Sequence, residues 1–146
     1  MFTHIMLASD GYAASASAAA LAVELARVHG AKLTVLYVLD PYPYLGIGEA
    51  NPFGFQAYMS AGQDHAAQVH AQVAALCEQG GAPVALQMRL VENVTAAKGI
   101  VQTAASEGAD LIVMGSHGRG SMARMMLGSV TSKVLAESHI PALITR

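Results

Sequence analysis

The sequence is poor in cysteine, in aromatic residues and in charge. One cysteine, Cys77, occurs in 146 residues, so an internal disulfide is impossible and we expect a reducing compartment, the cytoplasm. Tryptophan is absent, 5% of the residues are aromatic, and the net charge is −2 at pH 7. The chain therefore lacks the basic surface and the stacking side chains of a nucleic-acid-binding protein. We expect neither nucleic acid nor an anionic membrane as a partner.

Long apolar runs and a targeting signal are also missing. No run reaches the roughly 18 apolar residues of a membrane-spanning helix. The first Lys or Arg is Arg27, and Asp10 interrupts the apolar start, so the N-terminus is not expected to be a signal peptide. What the chain does contain is 53% apolar residues, enough for a sizeable core. The length favours one domain, residues 1–146.

Short apolar segments alternate with helical segments along the chain. The predicted strands are residues 5–9, 33–39, 84–91, 111–114 and 141–145. The predicted helices are residues 13–29, about 55–79, 94–107 with Asn93 as N-cap, and 129–138. Gly30, Gly80 and Gly108 follow three of these helices as stop signals. The alternation predicts a single open five-stranded parallel sheet with helices on both faces.

Glycines concentrate between the fourth predicted strand and the last helix. Ligands of an open parallel sheet bind beyond the carboxyl ends of its strands, and the first N–H groups of the last helix suit a phosphate. The hydroxyls of Ser129 and Thr131 could add donors, and Arg119 or Arg124 could neutralise charge. The segment 115–120 reads G-x-x-G-x-G, which is neither of the two commonest phosphate motifs. Taken alone, such a turn could equally be structural.

The spacing G-x2-G-x9-G-S from Gly115 to Ser129 resembles the nucleotide motif of the universal stress protein family, in its ATP-binding branch. Segments 5–11, 35–40, 114–120 (MGSHGRG), 127–131 (LGSVT) and 140–144 (IPALI) are similar to the same family, so the likeness covers essentially the whole chain. The resemblance implies a Rossmann-like fold of the adenine nucleotide alpha-hydrolase-like type. It also implies an ATP-binding protein of the stress response.

The resemblance further implies which residues meet the nucleotide. Asp10 would lie near the ribose and the phosphates, and the backbone of Val38 would meet the adenine. The remaining expected contacts come from the glycine-rich turn and the helix start: Met114, Gly115, Gly118, Arg119, Gly128, Ser129, Val130 and Thr131. Tyr12 stands where the family often has Ser, so a hydroxyl contact there is in doubt and the ring could narrow the pocket. Asp10 could instead cap the following helix. The sequence leaves open whether Mg²⁺ accompanies the ATP.

Binding is better supported by these residues than catalysis. Phosphoryl transfer needs a metal held by carboxylates or hydroxyls and a group that orients the nucleophile, whereas Asp10 is the one carboxylate expected near the turn. His117 lies in a polar loop and is left out of the site. We expect a regulatory protein with slow or no ATP hydrolysis. A slow ATPase or nucleotidyl-transfer enzyme on the same fold, and a structural dimer that has lost its nucleotide, are the alternatives.

The last predicted strand begins with Pro141 and closes with Thr145. In an alternating α/β chain the final strand usually lies at a sheet edge, and an apolar edge invites pairing with another chain. Two such edges can pair about a two-fold axis. The resemblance implies the same, because family members commonly dimerise through this strand. We therefore expect a homodimer; the alternative is that residues 40–61 cover the edge.

Overall fold

The computed structural model describes residues 1–9, 13–41, 52–116 and 127–146. Within these ranges strands and helices alternate strictly, as the sequence predicted. The strands are β1 (His4–Ala8), β2 (Lys32–Leu39), β3 (Leu86–Glu92), β4 (Leu111–Gly115) and β5 (Ala142–Thr145). The helices are α1 (Ala13–His29), α2 (Pro52–Glu78), α3 (Ala96–Glu107) and α4 (Ser129–Glu137).

The five strands form one parallel sheet in the order β3-β2-β1-β4-β5. The chain builds outward from β1 to β3, then crosses back to place β4 on the other side of β1. This reversal puts the topological switch point between β1 and β4, where open α/β sheets leave a crevice at the carboxyl ends. β1 can occupy the centre because Ile5, Met6 and Leu7 are fully buried and apolar on both faces. The predicted sheet is thus confirmed.

The alternation of side chains along the strands divides the core into two layers. Ile5 and Leu7 pack with α1 and with Val73 of α2 on one face. Met6 and Ala8 pack with α3 and α4 on the other face. Each fully buried Ile, Leu, Met or Val contributes about 1.5–3 kcal/mol relative to an exposed one, so both layers stabilise the sheet.

The helix ends agree with the glycine signals but not with the expected start of α3. Gly30 and Gly108 have φ values of 64° and 73°, the left-handed conformation that ends a helix. Asn93 was predicted to cap α3, and this is wrong: Asn93 itself has φ 59°, and the helix begins at Ala96 after Thr95. The cap comes instead from Asp40, whose Oδ1 accepts a hydrogen bond from the Ala96 N–H at 3.0 Å.

None of the helices in the described ranges has the length and apolar character needed to cross a membrane.

Candidate functional site

Three adjacent strands bring their carboxyl ends to one edge of the sheet. In the register, Ala8 of β1 lies beside Leu36 of β2, and Leu7 lies beside Val113 of β4. The backbone pairing continues past the strand end, since the Ser9 N–H donates to the Leu36 carbonyl at 3.2 Å. Val38 is therefore two residues beyond this pairing on one side of β1. On the other side β4 ends in Gly115.

The start of α4 is tied directly to the end of β4. The Gly128 N–H donates to the carbonyl of Ser116 at 2.7 Å. The Thr131 hydroxyl donates to the carbonyl of Gly115 at 2.9 Å, and Thr131 is 2% exposed. Its hydroxyl proton is thus used inside the protein, contrary to the expectation that it would serve a phosphate. Thr131 can contact a ligand at this edge through its backbone N–H.

The first turn of α4 carries positive potential and contains no acidic residue that would cancel it. The first backbone bond of the helix joins the Ser132 N–H to the Gly128 carbonyl at 2.9 Å. The N–H groups of Ser129, Val130 and Thr131 precede it and have no acceptor within the helix. Together with the helix dipole, worth roughly half a positive charge at this end, they make this end of the helix favourable for an anion. No Asp or Glu occurs in the first turn.

The apolar residues expected in the site have side chains that pack in the core. Val38, Met114 and Val130 pack with Ala8 in the core layer beneath α3 and α4. Met114 is 5% exposed, so its side chain is committed to the core. The expected contact between the Val38 backbone and an adenine base stays a prediction.

Some expected site residues fall outside the described ranges. They are Asp10, Gly118 and Arg119, together with Tyr12, His117 and Arg124. Their roles stay predictions. The structure brings together the others: Val38, Met114, Gly115, Gly128, Ser129, Val130 and Thr131 all lie at the carboxyl edge.

Metal and thiol chemistry find little support among the described residues. No group of three or more His, Cys, Asp or Glu side chains in these ranges could hold a metal ion. Cys77 is half-buried, and burial raises the pKa of its thiol. A protonated thiol is a poor nucleophile.

The structural roles of two residues of this edge were not predicted from the sequence. Ser116 is 2% exposed, and its carbonyl accepts the Gly128 N–H, so it joins β4 to α4. Asp40 caps α3, and its backbone carbonyl accepts a hydrogen bond from the Tyr58 hydroxyl at 2.6 Å. No local pattern identifies Asp40 as a cap, because Ala96 lies 56 residues further along the chain.

A second concave surface lies on the opposite face of the sheet, between α1 and α2. This groove has a volume of about 330 Å³. Its lining is Ser9, Ala16, Ala19, Ala20, Gln72, Val73, Ala75 and Leu76. The described part of this lining contains no charged side chain.

The parallel sheet, its switch point and the helix start beside it define an open, doubly wound α/β protein with a Rossmann-like fold. Within that class the family follows from sequence. The model of the universal stress protein family matches residues 1–146. The chain belongs to the universal stress protein family.

Relatives agree over the full length. A Thermus aquaticus protein named a universal stress protein is 39% identical over 147 residues, covering 100% of both chains. The structure of the universal stress protein UspA from Lactobacillus plantarum has a TM-score of 0.81 at 26% identity, covering 99% of this chain and 97% of that one. The universal stress protein from Archaeoglobus fulgidus in complex with dAMP shares the fold, with a TM-score of 0.64 at 16% identity over 100% and 98% of the two chains.

Proposed function

We propose that this protein is an ATP-binding regulatory protein of the cytoplasmic stress response, with the nucleotide at the carboxyl edge between β1 and β4. One observation carries the proposal: the N-terminal turn of α4 is anchored beside the switch point by the bonds from Gly128 and Thr131 to the end of β4. This turn offers three backbone N–H groups to an anion. The A. fulgidus relative in complex with dAMP supports an adenine nucleotide as the ligand.

In this proposal, different residues contact the phosphates, the adenine and the ribose of the nucleotide. The phosphates bind the backbone N–H groups of Ser129, Val130 and Thr131, where Gly128 leaves room for them. They also contact the turn that contains Gly115, Gly118 and Arg119. The adenine lies against the backbone of Val38 and Met114, and Asp10 lies near the ribose. Backbone N–H groups at a helix start are strong phosphate donors. Any Mg²⁺ would be held chiefly by the phosphates, since it keeps several waters and takes few protein ligands.

The nucleotide carried by freshly purified, unwashed protein tests this function most directly. We expect denaturation and mass spectrometry to release an adenine nucleotide, and calorimetry on the stripped protein to give tighter binding of ATP than of GTP. Protein that carries no nucleotide and gives no heat with ATP, ADP or AMP would rule out the proposal.

Turnover distinguishes regulation from catalysis. We propose that hydrolysis is slow or absent, because no positioned base and no cluster of carboxylates lies among the described residues of this edge. Enzymes of ordinary speed turn over about 10 times per second. A steady-state rate near that value, lost in Asp10→Ala, would favour the alternative, an ATPase or nucleotidyl-transfer enzyme.

We also propose a homodimer through the last strand. β5 lies at the edge of the sheet and pairs with β4. The carbonyls of Pro141 and Thr145 face β4, where they accept the N–H groups of Ile112 at 2.9 Å and Ser116 at 2.6 Å. Since backbone groups alternate along a strand, those of Ala142 and Ile144 face the open edge. They are available to the same strand of a second copy.

A further inference from the structure

One aspartate joins the end of β2 to the two neighbouring helices. Asp40 follows β2 directly, two residues after Val38. Its Oδ1 accepts a hydrogen bond from the N–H of Ala96, the first residue of α3, at 3.0 Å. Its backbone carbonyl accepts the hydroxyl of Tyr58, in α2, at 2.6 Å. The backbone beside Val38 is thus held from both faces of the sheet.

The first turn of α3 depends on this contact because it has no cap of its own. Thr95 occupies the N-cap position but makes no side-chain hydrogen bond to the helix, and the first turn contains no acidic residue. A carboxylate at a helix start satisfies an N–H group and interacts favourably with the dipole. Asp40 supplies both from outside the helix.

The same helix packs against Val38 without a gap. A Cβ added to Gly99 of α3 would lie 2.9 Å from both Val38 methyl carbons and 3.1 Å from a methyl of Val94. Close-packed groups transmit displacement. A shift of the first turn of α3 would therefore move Val38 together with the end of β2.

We propose that Asp40 is a positioning residue for the nucleotide site: its carboxylate anchors the first turn of α3 and so fixes the backbone of Val38 where the adenine binds. This inference rests on the proposed function. Asp40 acts through α3 and β2. The charge of the carboxylate matters less than the acceptor oxygen aimed at the Ala96 N–H.

The test compares two aspartates that both accept backbone N–H groups, at opposite edges of the sheet. Asp110 accepts the N–H groups of Thr3 at 2.8 Å and His4 at 3.0 Å, at the amino edge. ATP affinity is measured by calorimetry on the full chain for the wild type, Asp40→Ala, Asp40→Asn and Asp110→Ala. Thermal unfolding and amide hydrogen exchange at Val38 and Leu39 are measured without nucleotide. Asp40 is exposed, so its replacement removes no core packing.

Asp40→Ala should raise the Kd for ATP about fivefold, which corresponds to about 1 kcal/mol at 25 °C, and should speed exchange at Val38 and Leu39. Asp40→Asn keeps the acceptor oxygen and should stay within about twofold of the wild-type Kd. Asp110→Ala should lower the unfolding temperature and leave the Kd unchanged.

Wild-type affinity and exchange in Asp40→Ala would overturn the inference and leave the proposed function standing. Equal weakening by Asp110→Ala would also overturn it, because the effect would then be a general loss of stability. A wild type that binds no nucleotide would remove the proposed function itself, and this inference with it.

Discussion

At the scale of single residues, we expect Gly128 to matter because it places no side chain in the way of a phosphate, since its backbone conformation does not require glycine. Its φ of −62° and ψ of 161° are open to any L-residue. We expect Gly128→Val to fold normally but to raise the Kd for ATP at least about 100-fold, because the branched side chain displaces the phosphate from several charge-assisted N–H bonds worth about 1.5–3 kcal/mol each. Calorimetry measures the Kd, and a circular dichroism spectrum checks that the variant is folded.

Ser129→Ala is the matched control for Gly128→Val. It removes a hydroxyl from the next residue but keeps the backbone N–H, so most of the affinity should remain. An equally large loss in Ser129→Ala would show that the side chain, and not the backbone, holds the phosphate. Unchanged affinity in Gly128→Val would place the phosphate elsewhere.

Asp110 makes stability depend on pH at the amino edge of the sheet. Desolvation alone would raise the pKa of Asp110, but hydrogen bonds from the N–H groups of Thr3 and His4 and from the Thr3 hydroxyl outweigh it and lower the pKa. A lowered folded-state pKa stabilises the protein above the unfolded value of about 3.9. That stability is lost as the pH falls through the folded pKa.

Asp110→Asn should therefore lower the free energy of unfolding at pH 7 and much less so near pH 2.5. Urea unfolding of the wild type and of Asp110→Asn from pH 7 to pH 2.5 measures the difference in their free energies of unfolding. The other carboxylates are common to both proteins, so their titration largely cancels in this difference. A difference that stays constant with pH would mean that the charge on Asp110 contributes no stability.

At the scale of elements, the C-terminal end of α2 is capped by a side chain from α1. The Arg27 guanidinium donates to the carbonyls of Leu76 at 3.1 Å and Cys77 at 3.0 Å, and also to those of Gln79 and Ala82 beyond the helix. The last carbonyls of a helix have no partner within it, and α2 has no basic residue in its last turn. The Arg27 side chain is 11% exposed, and its bonds to Leu76 and Cys77 are partly shielded from water.

Arg27→Met should cost about 2–4 kcal/mol of unfolding free energy, because it leaves several carbonyls partly buried without donors. Arg27→Lys should lose less unfolding free energy than Arg27→Met but more than none, since an ammonium lacks the planar set of donors of a guanidinium. Glu24→Ala is the control: it removes the exposed ion pair to Arg27, of 2.9 Å, and should cost at most about 1 kcal/mol. Urea unfolding measures the unfolding free energy of all three variants. If Glu24→Ala lost as much unfolding free energy as Arg27→Met, the ion pair and not the bonds to the carbonyls would account for the contribution of Arg27.

At the scale of the whole molecule, the proposed dimer can be tested by comparing substitutions at the two edge strands of the sheet. Leu143 of β5 is 37% exposed and Met88 of β3 is 50% exposed. Both belong to edge strands. Leu143→Asp should raise the dissociation constant of the dimer at least about tenfold, because a charged side chain would lose water at the interface. Met88→Asp should leave the assembly unchanged.

Sedimentation velocity or light scattering at micromolar concentration decides between these outcomes. A monomeric wild type, or a dimer that ignores Leu143→Asp, would exclude β5 as the interface. A dimer lost only in Met88→Asp would move the interface to β3.

The sequence by itself determined the elements and the expected ligand edge. β4 and residues 5–8 of β1 are continuous apolar runs. Gly30 and Gly108 end their helices, and the glycine spacing after β4 pointed to the correct family. Each of these signals lies within a few neighbouring residues. The roles of Asp10, Gly118 and Arg119 stay predictions drawn from that spacing.

Only the tertiary structure decided the strand order, the cap of α3 and the use of the Thr131 hydroxyl. Asn93 looked like a cap from its neighbours, yet Asp40 reaches Ala96 from 56 residues away. The Thr131 hydroxyl turns back to Gly115, 16 residues earlier in the chain. Hydrogen bonds act over about 3 Å, so they depend on which segments the fold brings together, and no local pattern records that.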